Sequence, residues 1–503
     1  MHSIAKLDHR FLWHPFTQMR DWLKHEPIVI VEGHGATLRD IHGRNYLDAN
    51  ASIWTNLHGH NHPTLNAALR RQLTKIAHSS ALGLANVPAS LLAEKLVAAA
   101  NPSPVSSPTR FARSNPELTK VFFSDDGSTA LEVALKLAYE FARRASRNRK
   151  PRFLGLQGAY HGDTIGAVSL GHIDLFHKTY AGMLFKTDKV MAPYCYRCRF
   201  NRAQPESADA RDYRQCRWEC LDQLEARFVA QKRKGEPYAA FVFEPLIQGA
   251  AGMIPQPAGW LARAAEIARG HGALLIADEV MTGFGRTGLP SPRGANRPPT
   301  VNKSAGNIPM PPLPFQNSLF ACHHAGVQPD FLALAKGLTG GFLPMAATLT
   351  TPAVFDAFLG EYDEFKTFFH GHSYTGNQLA AATALASLEL LRQPAGLRAR
   401  RALESELRTA LDSLWMHPNV GDIRQVGLIA GVELVQERRT RRPFDLRKRA
   451  GIRVCESMAR LGVLTRPIGN VIVLMPPYCT TGKQVRLMVA ALSQSIRREL
   501  EKG

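Results

Sequence analysis

No apolar run in these 503 residues reaches the roughly 18 needed to cross a bilayer as a helix, which excludes a helical membrane protein. The opening segment, from Met1 to Arg10, lacks the apolar core of a signal peptide, so the cytoplasm is the expected compartment. Cysteine is sparse and odd in number, seven in all, which excludes a secreted disulfide framework. No internal repeat is visible, which argues against a solenoid. Acidic residues are in the minority: 42 Asp and Glu face 62 Lys and Arg, for a net charge of +20. A nucleic-acid surface would gather that charge into a run or stripe. Here Lys and Arg are scattered, with modest clusters at 143–150 and 438–448, and the reading is a solvated basic surface with no nucleic-acid partner.

What is present describes an ordinary globular chain. Hydrophobic residues make up 45% and charged residues 21%. The length exceeds what one compact core organises, so two or three domains are expected. Apolar runs alternate with amphipathic stretches, the pattern of an α/β protein. Strands are predicted at 120–123, 152–155, 239–243 and 273–277. A helix is predicted at 129–144, where Leu131, Ala134, Leu135, Leu137 and Ala138 keep a period near 3.6. Three stretches read as loops or insertions: 101–117, 194–220 and 290–317. The last is rich in Pro, Gly and Asn without apolar period and reads as a mobile surface excursion.

The chemistry centres on Lys336, which ends the apolar run 331–335 and precedes the Gly-rich turn at 337–341. On an α/β scaffold that is the carboxyl end of a strand, where ligands bind, and an amine there can form a Schiff base once its pKa is lowered. Asp278 directly follows the apolar run 273–277; a cap or ion pair would explain it alone, and so would a pyridinium nitrogen needing a carboxylate. The turn containing Gly127 and Ser128 lies between a strand and a helix and suits a phosphate, although a plain N-cap needs no more than one of its residues. Tyr160 stands after the strand near Phe153, where an aromatic either packs or stacks on a planar ring. Glu244 is a further strand-end acid. A glycine-broken, donor-rich loop follows at Gly371, His372 and Ser373. A phosphate nest, a ring stack, an acid for a ring nitrogen and a Schiff-base lysine, taken together, describe pyridoxal phosphate acting on small-molecule substrates.

These blocks, in this order, resemble the class III aminotransferases of the fold-type I pyridoxal-phosphate superfamily, over nearly the whole chain. The likeness sharpens at Trp13, His14 and Pro15, at Asp163 and Thr164, and at the segments around Arg466 and Met475. Those segments point to the branch that aminates 8-amino-7-oxononanoate in biotin synthesis, usually with S-adenosylmethionine as donor. The resemblance implies a large, mainly parallel-sheet domain over 60–350 and a smaller α+β domain made from 1–59 and 351–503. It implies that Lys336 anchors the cofactor and carries the proton, that Asp278 holds the pyridine nitrogen, and that Gly127 and Ser128 hold the phosphate. Tyr160 would cover the ring and, with Trp54, line the substrate site. Arg466 would take the substrate carboxylate. Gly371, His372 and Ser373 would serve substrate and phosphate from the neighbouring subunit, which makes the active unit a homodimer with shared sites. Phe16, Ile53 and His372 depart from the S-adenosylmethionine-using pattern, all where the donor binds, so lysine stays open as donor. Another class III ω-aminotransferase is a further reading, against which Trp13-His14-Pro15 argues. A regulatory, nucleic-acid-binding relative is opposed by the intact Lys336 and Asp278.

One motif stands apart. Cys195 and Cys198 are separated by two residues, Cys216 and Cys220 by three, with 17 residues between the pairs. That is near metal-ligand spacing, and the site admits either a structural zinc ion or reduced loop thiols. The family's chemistry needs no metal. The surrounding arginines are expected to lower the thiol pKa values.

Overall fold

Seven strands form the central sheet of the computed structural model, which describes residues 1–101, 116–145, 150–288 and 318–501. We number them along the chain: β1 (Lys120–Ser124), β2 (Arg152–Leu156), β3 (Asp188–Val190), β4 (Tyr238–Phe243), β5 (Leu274–Asp278), β6 (Phe331–Leu334) and β7 (Ala346–Thr350). Their order across the sheet is β1-β7-β6-β5-β4-β2-β3. Only β7 runs against its neighbours; the others are mutually parallel. The four strands predicted from sequence are all in this sheet. The helix predicted at 129–144 spans Gly127–Ala145 and is called α1 below. The predicted insertion at 290–317, and 102–115 of the one at 101–117, lie outside the described residues.

Both faces of the sheet are covered, which is why its parallel strands read as unbroken apolar runs. Successive side chains alternate between the two sides. Phe241, Phe243, Leu275, Ala277, Leu332 and Leu334 belong to one core, with the helices Val87–Ala100, Glu219–Arg233, Trp260–Gly270 and Gln378–Arg392. Ala240, Val242, Ile276, Phe331 and Ala333 belong to the other core, against α1. Each of the larger side chains, fully buried, stabilises the fold by about 1.5–3 kcal/mol before entropy is counted. The consequence for the site is rigidity: the carboxyl ends of β1, β2, β4, β5 and β6 open on the same edge of a fixed layer.

The two ends of the chain meet. Ile30–His34, Thr37–Asp40 and Asn45–Asp48 form an antiparallel sheet, and Val463–Leu464 adds to it in parallel beside Asn45–Asp48. A further sheet orders Val420–Val426, Ile429–Glu437, Val471–Leu474 and Pro467–Ile468. Its core is completed by the helices Pro394–Asp412, Ala450–Arg460 and Gly482–Leu500. Among the described residues no helix is long and apolar enough to cross a membrane.

Candidate active site

Lys336 lies two residues beyond the end of β6, on a short 3-10 turn Lys336–Thr339. Its φ of +31° is left-handed, a conformation a lysine adopts only when its surroundings enforce it. Gly337 explains part of that enforcement, because a Cβ there would stand 3.0 Å from Leu57 and from Phe284. The ammonium nitrogen lies 5.1 Å from the centroid of the Trp54 ring. Burial draws the amine below the ordinary lysine range, while Asp278 and Glu244 push it back up.

Asp278 is the last residue of β5, and only 5% of its surface reaches solvent. Its Oδ1 accepts the Val280 N–H at 3.0 Å, and its Oδ2 lies 2.7 Å from Nδ1 of the equally buried His161. The other ring nitrogen of His161, Nε2, is buried without a partner among the described residues. Glu244 follows β4 and accepts N–H bonds from Tyr160 at 3.2 Å and Gly249 at 2.8 Å. Burial nevertheless dominates, and its carboxyl is pushed up to about 7; His161 opposes the shift and Asp278 adds to it.

The turn between β1 and α1 could hold an anion. Asp126 Oδ1 accepts the Thr129 N–H at 2.9 Å, which caps the helix. The first amides of α1, at Gly127 and Ser128, have no partner inside the helix. The Ser128 hydroxyl is 2.7 Å from that of Thr164 and accepts the Thr164 N–H at 3.1 Å. Two glycines let these loops close up. A Cβ on Gly127 would lie 2.6 Å from Val280 Cγ1, and one on Gly162, at φ +121°, would run into Ser128. Tyr160 donates to Asp163 Oδ2 at 2.7 Å, and its ring lies parallel to that of His177 with centroids 6.0 Å apart. Burial, then Asp163, raise the Tyr160 phenol above its usual range, so it stays protonated.

Trp54 arrives by an unusual route. Ala51, Ser52, Ile53 and Trp54 have φ of +44°, +49°, +69° and +71°, a left-handed helical turn without glycine. Asp48 over-determines it: the carboxylate accepts the N–H of Asn50 at 3.1 Å and of Ser52 at 3.0 Å, and contacts His60 Nε2 at 2.9 Å. Asn50 then accepts the Trp54 indole N–H at 2.9 Å. Nothing in the composition of 48–54 signals this turn to a sequence reading.

The structure thus gathers Lys336, Asp278, Trp54 and Tyr160, with Gly127 and Ser128 tied to the Tyr160 loop through Thr164. His372 lies beside the same turn, its Nδ1 3.2 Å from Asp125 Oδ2. Gly371 and Ser373 flank it and are exposed, and the Ser373 carbonyl meets His78. Arg466 is exposed between Val463–Leu464 and Pro467–Ile468, and among the described residues no hydrogen bond or ion pair joins it to Lys336 or Asp278. Two residues on, Ile468 packs in the same apolar cluster as Trp54 and Met281. His161 stands beside Tyr160 in the sequence, and the signal for its role is that a buried strand-end acid needs a partner.

The four cysteines line one cavity of ≈ 20 Å³. The expected lowering of the thiol pKa values by arginines is corrected for two of them. Burial outweighs Arg214 at Cys195 and pushes that thiol up, and burial pushes Cys220 up to about 12. Among the described residues no group of three or more His, Cys, Asp or Glu side chains stands at metal-holding geometry.

This set fits pyridoxal phosphate. A cradle whose loops two glycines let close up, a helix N-terminus with a serine, a half-buried lysine and a buried carboxylate fixed by His161 are the donors and charges that cofactor requires. Comparison with known proteins agrees. The family model for class III aminotransferases matches residues 19–290 and 317–496. An adenosylmethionine-8-amino-7-oxononanoate aminotransferase of Geobacter sulfurreducens is 45% identical, over 98% of this chain and 97% of that protein. The crystal structure of an enzyme so named from Methanocaldococcus jannaschii superposes with a TM-score of 0.82 at 35% identity, covering 99% of each chain. An amine transaminase from an uncultivated Pseudomonas species, in its cofactor-bound form, gives 0.81 at 30% identity over 97% of this chain and 98% of that one. The chain belongs to the class III aminotransferases, enzymes that work with pyridoxal phosphate.

Proposed function

We propose that this enzyme aminates 8-amino-7-oxononanoate to 7,8-diaminononanoate, a step of biotin synthesis, with S-adenosylmethionine as amino donor. The observation that carries the reading is a full-length likeness to enzymes named for that acceptor, combined with Lys336 and Asp278 meeting at adjacent strand ends. The cofactor supplies an electron sink for the bond broken at the amine-bearing carbon. Asp278, held by His161 and the Val280 amide, would keep the ring nitrogen protonated. Gly127, Ser128 and the α1 amides would hold the phosphate, and Tyr160 would cover the ring. Lys336 Nζ, its basicity reduced by burial, takes the proton from the donor carbon and later returns one to the acceptor carbon. Trp54 shields that amine from water.

Arg466 would engage the acceptor's carboxylate through its planar fork. Gly371, His372 and Ser373 would complete the site of a second copy in a homodimer with shared sites. Trp13, Leu82, Tyr362 and Phe369 support the dimer: each large apolar or aromatic side chain is strongly exposed on a single chain. The large domain would be 60–350, with 1–59 and 351–503 as the smaller one, and the compartment the cytoplasm. Lysine is the alternative donor, favoured by Phe16, which has no hydroxyl and packs edge-on against Phe176 with centroids 5.3 Å apart.

A donor screen tests the proposal. Purified enzyme is given 8-amino-7-oxononanoate with either S-adenosylmethionine or lysine, and diaminononanoate is followed by mass spectrometry. Product with S-adenosylmethionine is expected. Product with lysine alone corrects the donor, and none with either overturns the acceptor while leaving the family intact.

A further inference from the structure

The segment holding the four cysteines is a knot between the two halves of the chain, and none of the chemistry above uses it. Cys195 opens the single turn Cys195–Arg197, Cys198 follows it, and Cys220 lies in the first turn of the helix Glu219–Arg233. The 17 residues between the pairs are closed at their base. Arg202 N–H reaches the Gln215 carbonyl at 3.1 Å, and Asn201 Oδ1 accepts the Gln215 N–H at 2.9 Å. Asn201 also donates to the Cys195 carbonyl at 2.9 Å. These bonds bring the two pairs together around one cavity of ≈ 20 Å³, with all four thiols free. Arg214 caps it, with Nη1 3.1 Å from Cys216 Sγ and its guanidinium 3.9 Å from the Trp218 ring centroid.

We propose that Cys195, Cys198, Cys216 and Cys220 form a structural zinc site. Four cysteines in two close-spaced pairs that line one cavity are a zinc donor set. Four Zn–S bonds form and four thiol protons leave to solvent. Zinc with four thiolates carries −2, and the Arg214 guanidinium on Cys216 offsets half of it. The sulfurs are not at coordinating geometry in the chain alone, so the ion draws them inward.

The site fixes more than its own loop. Arg197 Nε meets Glu433 at 2.6 Å, Arg211 donates to the Gln425 carbonyl at 2.8 Å, and Arg441 donates to the Ala203 carbonyl at 2.6 Å. Glu433 and Gln425 belong to the sheet formed with Val420–Val426 and Ile429–Glu437. A metal knot here therefore clamps the segment after β3 to the C-terminal sheet, and its role is to hold that joint.

The test uses the full-length, cofactor-loaded protein purified without chelator. Elemental analysis should find about one zinc per chain, lost in both Cys195→Ser and Cys216→Ser. Cobalt added to metal-stripped wild-type protein, which needs no variant to fold, should give tetrahedral d–d bands with thiolate charge-transfer absorption. Stripping should lower the melting temperature, and zinc should restore it. Wild-type protein free of zinc that gives no cobalt bands overturns the proposal. So does zinc retained in both variants, or iron with sulfide in its place.

Discussion

His161 Nδ1 lies 2.7 Å from Asp278 Oδ2, both side chains buried at the carboxyl edge of the central sheet. The pair fixes which way the carboxylate faces, because its other oxygen is already committed to the Val280 amide. An acid so deeply set is stable only while such partners compensate its lost hydration.

Replacing His161 by Phe keeps a ring and removes the bond. A hydrogen bond to a charged group contributes about 1.5–3 kcal/mol, so kcat should fall by roughly 10- to 100-fold. Cofactor should also leave the variant faster on dialysis. A purely structural role would lower the melting temperature and leave the kcat of the folded fraction unchanged; rate and cofactor-release measurements separate the two.

Glu244 predicts a pH dependence of stability. Its carboxyl is raised by burial to about 7, against 4.5 for an ordinary Glu. The folded state therefore holds a proton that the unfolded state releases. The stabilising contribution is complete below pH 4.5 and is lost as pH rises through about 7, with a slope of at most about 1.4 kcal/mol per unit. Urea titrations of cofactor-free protein across that window should show the decline, and Glu244→Gln should remove Glu244's share.

The left-handed turn at Ala51–Trp54 depends on Asp48. Asp48→Ala strands two amides and the His60 ring nitrogen. The expected loss is about 2–3 kcal/mol in denaturation, together with a raised KM for the acceptor, because Trp54 is displaced from Lys336. Unchanged KM in a folded variant would separate the turn from substrate binding.

Gly162 gives a backbone test of the proposed phosphate cradle. Gly162→Ala puts a methyl into Ser128 at φ +121°. The variant should bind cofactor on the order of 10-fold more weakly, read by fluorescence titration, since the Ser128–Thr164 contact is forced open.

The strands and their terminal residues were legible because buried parallel strands leave unbroken apolar runs, and the residue ending each run is chemically out of place there. Lys336, Asp278 and Glu244 were found that way. The turn carrying Trp54 was not, because it rests on Asp48 and Asn50 side-chain bonds rather than on glycine. His161 was hidden by its neighbour Tyr160, since partnership with an acid 117 residues away leaves no periodic trace. The thiol shifts misled for a different reason: nearby arginines are visible in sequence, whereas burial, which wins at Cys195 and Cys220, is not.

The account turns on Lys336 as the amine that carries the cofactor. Borohydride reduction of the loaded enzyme, followed by proteolysis and mass spectrometry, tests this directly. The account predicts a phosphopyridoxyl group on the peptide containing Lys336 and on no other, and none in Lys336→Ala. A label on another lysine, or none in the wild type, would contradict it.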